Sequence, residues 1–252
     1  MSLGIFSPYG RASGETGFLM VLSRYLARRG YGLVQVRCNG CLPQCGRDAL
    51  TRKGRQVMSC AGCMLEQDRG ARWSGMPVID LSCSFSSADL LAHQETLARH
   101  SVHELARFST EGISVTDICE AELRRGIEDE RELRRLLLLA ASALNAFSRM
   151  VQEHSFDAFL SPAGDDFFLK SLSAVAERRG IRHFRFRWDA ARLSTRISGA
   201  LSGDDFVSSL YFDDVSAMRS DVDTWPDEIR TQLRDVESYL GITQQQLSLP
   251  IV

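Results

Sequence analysis

The sequence predicts an α/β protein built on a doubly wound, mostly parallel, Rossmann-like sheet. Three observations carry that expectation. The first forty residues read as strand, glycine-rich loop, helix and strand. The same plan returns between Phe156 and Phe186. Between the two lie helical segments whose apolar residues recur at 3.6-residue spacing, as layers on both faces of a parallel sheet require.

The elements follow in order. Gly4-Ile5-Phe6 is a short apolar strand, and Ser7 to Gly14 is rich in turn residues. From Thr16, the residues Phe18, Leu19, Val21, Leu22, Tyr25 and Leu26 fall on one helical face, and Arg28-Arg29-Gly30 ends the helix with a basic turn and a glycine. Leu33 to Val36 is a second strand, so the opening is a βαβ unit with a right-handed crossover. Cys38 to Gly75 shows little apolar periodicity and reads as an irregular insert. Val78 to Leu81 is a third strand. Ser86 or Ser87 opens a helix to His100, a short helix covers Val102 to Phe108, and Thr116 caps another through Leu123. The longest helix runs from Glu128 to Glu153, its acidic start matching the helix dipole. Phe156 to Leu160 is a strand, Pro162 to Asp166 a loop, Phe167 to Arg179 a helix, and Ile181 to Phe186 a strand. Trp225-Pro226-Asp227 starts a last helix to Leu240. The expected organisation is one domain over 1–222, carrying the insert at 38–75, and a closing helix and tail over 223–252.

Composition narrows the function classes. The chain has 252 residues, 44% hydrophobic and 25% charged, with a formal net charge of −2. That is ordinary globular usage and argues against disorder or coiled coil. Neither sign runs in blocks, which places nucleic acid behind other partners. The insert's Arg47, Arg52, Lys53, Arg55, Arg69 and Arg72 are its one positive patch and would serve a nucleic-acid-binding ribbon. Of 30 basic residues only Lys53 and Lys170 are lysine, a bias read as coding composition. The first thirty residues have no apolar signal region, and Leu136 to Phe147 is shorter than the roughly 20 residues a membrane helix needs. The expected location is cytoplasmic.

Five of the seven cysteines lie within 26 residues, at Cys38, Cys41, Cys45, Cys60 and Cys63. The pairs Cys38/Cys41 and Cys60/Cys63 are separated by 18 residues and fit a four-thiolate zinc template. Thiolates two residues apart can grip one tetrahedral ion at about 2.3 Å, and two such grips close a structural site. Cys45 is a fifth candidate, and an iron–sulfur cluster uses the same ligands. The competing reading is five incidental buried thiols. Cys83 and Cys119 read as small core residues.

Two loops are candidate ligand sites because they fall at the carboxyl edge of the sheet, where open α/β sheets bind ligands. The first is Gly10 to Gly17, where Gly14 and Thr16 would bind substrate through close backbone approach and Glu15 would act as base. It matches neither the dinucleotide glycine pattern nor the P-loop. The second is Pro162 to Asp166, where Gly164 and Asp166 would bind substrate and Asp165 would act as base. The alternative for Asp166 is a helix N-cap. Arg187, in Arg187-Trp188-Asp189 at the end of the later strand, points toward the same edge. His93, His100, His103 and His154 read as surface groups.

The stretch Ser13-Gly14-Glu15-Thr16-Gly17-Phe18-Leu19, continued by Leu26-Ala27-Arg28-Arg29-Gly30-Tyr31 and Leu33-Val34-Gln35-Val36, resembles the opening of GT-B glycosyltransferases. Cys38-Asn39-Gly40-Cys41-Leu42-Pro43-Gln44-Cys45 with Cys60-Ala61-Gly62-Cys63 resembles a cysteine motif of bacterial surface-polysaccharide (capsule or lipopolysaccharide) transferases of that fold. The resemblance matches Cys38, Cys45, Cys60 and Cys63, making Cys41 the extra cysteine. It covers about the first 75 residues and departs at Gly30-Tyr31, where the family has Gly-His. It implies the acceptor-side, N-terminal domain of a sugar transferase, with a sugar acceptor or nucleotide sugar as ligand and the donor-binding domain missing or supplied by another chain. The alternative function is a non-catalytic Rossmann-like binding module with a structural metal site.

Overall fold

The computed structural model describes residues 2–7, 14–41, 56–124, 126–127, 129–189, 194–198, 206–208, 222, 225 and 227–241. Strand β1 (Ser2–Phe6) leads to helix α1 (Gly14–Arg28), β2 (Gly32–Arg37), α2 (Gln56–Ser74) and β3 (Val78–Asp80). Then come α3 (Ser87–Arg99), α4 (Val102–Leu105), a small hairpin of β4 (Ser109–Thr110) and β5 (Ile113–Ser114), α5 (Val115–Ile118) and α6 (Glu120–Arg124). The long α7 (Glu130–Glu153) is followed by β6 (Ala158–Pro162), α8 (Phe167–Arg178), β7 (Arg182–Asp189), β8 (Ser194–Ser198), β9 (Phe206–Ser208) and α9 (Asp227–Tyr239).

Seven strands form one sheet in the order β3-β2-β1-β6-β7-β8-β9. The first five are parallel, and β8 and β9 add antiparallel at one edge. This is the Rossmann-like arrangement the sequence predicts. Strand order runs outward from β1 to β3, then returns to β6 on the other side of β1. Right-handed crossovers therefore send the helices to opposite faces.

One face carries α3, α7 and α8. There Phe6 meets Phe147 and Phe168 edge-on, with centroids 5.1 and 5.4 Å apart, in a cluster with Val36, Leu144 and Phe159. The other face carries α1, α2 and α9, and its cluster joins Leu3, Ile5, Phe18, Leu22, Phe186, Trp225 and Leu233. Each fully buried phenylalanine is worth about 1.5–3 kcal/mol of transfer free energy. Glu237 of α9 is buried but well satisfied. It accepts hydrogen bonds from Tyr25 Oη at 3.1 Å and Tyr31 Oη at 2.7 Å, and lies 3.5 Å from Arg29 Nε. Burial, with the neighbouring carboxylate, holds both tyrosine hydroxyls in their protonated form. This polar clamp seats α9 on α1.

Several expectations change. Residues 56–74, read as part of an irregular insert, form the 19-residue helix α2. From Cys60 onward, where burial is described, its buried positions are Gln67, Ala71 and Ser74 rather than large apolar residues, so periodicity could not reveal it. Ser114, not Thr116, caps α5, its side chain accepting from Asp117 N. The antiparallel β8 and β9 follow the last predicted strand, and Cys83 is exposed while Cys119 is buried. His93 is half-buried beside Asn145 Nδ2, 2.9 Å away, and desolvation lowers its pKa. Among the described residues no helix is long and apolar enough to cross a membrane.

Two glycines give opposite tests. A Cβ on Gly4, in the middle of β1, would lie 2.5 Å from two ring atoms of the buried Phe159, itself tilted against Phe156 with ring centroids 4.7 Å apart. A Cβ on Gly17 in α1 would meet nothing within 4 Å. Gly4→Ala should cost about 1–3 kcal/mol of unfolding free energy, whereas Gly17→Ala should gain about 0.5–1 kcal/mol. Urea denaturation of both variants checks the pair.

Candidate ligand site at the carboxyl edge of the sheet

The reversal of strand order falls between β1 and β6, the switch point at which open α/β sheets place a ligand crevice, outside the carboxyl ends of the strands. The described parts of its rim are Ser7 after β1, the start of α1 at Gly14, and the loop 162–166 after β6. The end of β7 borders it, since Ala163 N donates to Phe186 O at 2.7 Å. The side chains of Gly14, Glu15 and Thr16 lie outside the described residues, as does Cys45. The backbone nonetheless puts Gly14 to Thr16 at the opening of α1, on this edge.

The loop 162–166 divides its two acids between different tasks. Asp166 is the N-cap of α8, its Oδ1 accepting from Phe168 N at 3.1 Å and Leu169 N at 3.2 Å. The remaining first-turn donor, Phe167 N, goes to Glu122 Oε1 at 2.9 Å. Glu122 is buried on α6, and sequence reasoning missed it because its partner is 45 residues away. Two carboxylates thus occupy the positive end of α8 and leave it closed to an anionic ligand. Asp166 serves capping, the alternative its position allows. Asp165 is exposed, next to the cap in the same loop. Gly164 permits the tight approach of Leu169, whose Cδ1 would lie 2.5 Å from an added Cβ. Arg187 is exposed near the end of β7, beyond Phe186, which pairs with Pro162. Asp165 and Arg187 are therefore the predicted side chains that the described structure leaves open at this edge.

A serine–histidine chain lies just beneath. His183 on β7 reaches Ser161 Oγ through Nε2 at 2.8 Å and Ser173 Oγ through Nδ1 at 3.0 Å. Ser161 Oγ also lies 3.1 Å from Pro162 O, to which it donates. The His183 ring is thereby hydrogen-bonded at both nitrogens, to one serine hydroxyl on each side. Ser161 is fully buried, out of reach of a ligand at the rim, so the chain is structural. Burial first, then Arg185, pushes the pKa of His183 down to about 3.

At the neighbouring strand end, Arg37 bridges three elements. Its guanidinium grips both oxygens of Asp80, the last residue of β3, the Nη2–Oδ2 contact being 3.1 Å, and also pairs with Asp68 of α2. Gln67 Nε2 donates to Ser7 O at 2.8 Å. The second half of α2 is thereby tied to the ends of β1, β2 and β3. Cys38 and Cys41 sit on the turn after β2, with Sγ atoms 3.6 Å apart. Cys60 and Cys63 lie one turn apart on α2 and are partly exposed. Among the described residues no three His, Cys, Asp or Glu side chains already converge as a metal site.

No protein-family model and no curated protein matches the chain. Among solved structures, a CDPS from Fluoribacter dumoffii is similar with a TM-score of 0.44 and 10% identity, over 70% of this chain and 81% of that one. The tyrosyl-tRNA synthetase from Aeropyrum pernix is similar with a TM-score of 0.28 and 16% identity, over 71% of this chain and 49% of that one. At these scores neither likeness bears on what the chain binds.

Two outcomes test the assigned roles. Asp166→Ala should cost about 1 kcal/mol through the lost cap, while Asp165→Ala should stay within about 0.5 kcal/mol of the parent. Thermal unfolding of the two variants reads the difference. For His183 the folded state resists protonation that the unfolded chain accepts below its ordinary pKa of about 6.5. Its stability contribution is complete above pH 6.5 and falls by about 1.4 kcal/mol per pH unit on the way down to pH 3. His93 acts in the same sense, so the readout is the difference in slope between parent and His183→Gln from pH 7.5 to 5. The variant should show the shallower slope.

Proposed function

We propose that the chain is the acceptor-side domain of a cytoplasmic sugar transferase in surface-polysaccharide assembly, binding its saccharide in the crevice between the loops after β1 and β6. The observation that carries this reading is the reversal of strand order at β1 and β6, with an exposed acid beside it. Support for a sugar as the ligand comes from the resemblance of residues 13–36 and of the cysteine motif to surface-polysaccharide transferases.

In this reading an acceptor hydroxyl approaches Asp165, which takes its proton as the oxygen attacks the anomeric carbon of the donor sugar. Glu15 is the alternative base, from the other side of the crevice. Arg187 orients a hydroxyl or acidic sugar at the end of β7. The filled N-terminus of α8 fits this division, since it offers no unpaired donors for a diphosphate. The leaving nucleotide diphosphate needs positioned cations or donors, and a second, donor-binding domain would bring them.

Calorimetry of the whole chain is the test. Acidic and neutral oligosaccharides from surface polysaccharides should bind weakly, and Asp165→Asn together with Arg187→Ala should weaken that binding at least tenfold with unchanged unfolding temperature. Sugar nucleotides should bind worse than the saccharides. Micromolar sugar-nucleotide binding with turnover by this chain alone would contradict the division of labour, and a lack of binding across the saccharide panel would contradict the sugar reading.

A further inference from the structure

The cysteines at the end of β2 are placed for a second purpose. Cys38 follows the last residue of β2 and starts a tight turn in which Asn39 and Gly40 both have left-handed φ, 47° and 67°. Cys41 N closes it by donating to Cys38 O at 3.1 Å. A non-glycine residue in the left-handed region is uncommon, and asparagine is among those that tolerate it. The turn brings the two sulfurs to 3.6 Å. Four sulfurs at about 2.3 Å around a tetrahedral ion are separated by about 3.8 Å, close to the spacing already present. A disulfide would require about 2.05 Å.

The other pair arrives by topology. A crossover from β2 to the parallel β3 must start at the carboxyl edge, so the first turns of α2 lie at the same end of the sheet as the Cys38–Cys41 turn. Contact confirms the proximity: the sulfur of Met64, adjacent to Cys63, lies 3.6 Å from where a Cβ on Gly40 would stand. Cys60 and Cys63, at i and i+3, share one face of α2. Asp68 and Gln67, one turn further on, hold the helix to Arg37 and Ser7. The turn itself is backed by core, since Cys38 and Cys41 pack against the cluster that contains Val36 and Leu81.

We propose that Cys38, Cys41, Cys60 and Cys63 form a structural four-thiolate zinc site that clamps the start of α2 to the end of β2. Binding releases the four thiol protons to solvent as four Zn–S bonds form, leaving a closed site with a net charge of −2 and no open position. Movement of the first turns of α2 toward the Cys38–Cys41 turn completes the tetrahedron. The ligand set differs from the one the family resemblance implies, because the sulfur–sulfur geometry places Cys41 beside Cys38 as its partner. The site is independent of the sugar reading.

The experiment uses the whole chain, purified under reducing conditions. Metal analysis should find about one zinc per chain, and thiol titration should gain four reactive cysteines when a chelator removes it. Cobalt in place of zinc should show the sulfur-to-cobalt charge-transfer and intense d–d bands of a tetrahedral thiolate site. Cys41→Ser should lose those bands as fully as Cys60→Ser, whereas Cys83→Ser, altering an exposed cysteine on a separate turn, should keep them. Circular dichroism separates loss of metal from loss of fold. The proposal is overturned by folded, reduced, metal-free protein with all four thiols reactive and no uptake of cobalt. It is equally overturned by an iron–sulfur spectrum, by a Cys38–Cys41 disulfide as the stable state under reducing conditions, or by Cys41→Ser protein that retains full zinc.

Discussion

Everything in this molecule hangs on the position of β1, a strand with parallel partners on both edges. Its neighbours β2 and β6 are reached by crossovers on opposite faces, so β1 is where the chain's winding reverses. The contact that makes this possible is between Gly4 and Phe159, where the absence of a side chain on β1 lets a buried ring lie against its backbone. A larger residue would push β6 and its Phe159 out of the cluster that also receives Phe6, Phe147 and Phe168. The crevice at the carboxyl edge is a consequence of the same reversal. It follows from strand order, before any side chain at the rim is considered.

The rim is then shaped by which polar groups the protein satisfies for itself. The first-turn donors of α8 go to Asp166 and Glu122, and the buried imidazole of His183 is held between two serines. These polar groups are used up in stabilising the loop that carries Asp165. Buried polar groups must find such partners because an unmade hydrogen bond costs about 1–3 kcal/mol. Among the described rim residues, Asp165 and Arg187 remain open, one charge of each sign. On the adjoining side of the sheet, Arg37 and Gln67 anchor α2 to three strand ends, giving the cysteine turn a rigid frame.

Much of the fold was legible because apolar spacing reports directly on burial. The βαβ opening, the long α7 and the β6–α8–β7 unit were visible from periodicity, and the cap at Ser86 from its chemistry. Helix α2 was hidden because its described positions, from Cys60 on, bury glutamine, alanine and serine, and its apolar Leu65 is exposed. Strands β8 and β9 extend the sheet at an edge, where pairing depends on β7 being available. Of the site, the loop positions at Gly14–Thr16 and Gly164–Asp166 were readable from their place between strand and helix. The capping role of Asp166 was readable as an alternative. Glu122 and the Tyr25–Tyr31–Glu237 clamp were not, since each joins residues far apart in the chain, and only the folded sheet brings them together.

The central claim is that the carboxyl edge between β1 and β6 is where this chain meets its ligand. Hydrogen exchange of the whole chain, with and without a saturating surface-polysaccharide oligosaccharide, tests it most directly. Exchange should slow in peptides covering the start of α1 and the loop 162–166 with the end of β7, and stay unchanged in α3 and in the β4–β5 hairpin. Protection confined to the amino edge of the sheet, or to the outer faces of α3 and α7, would contradict the account.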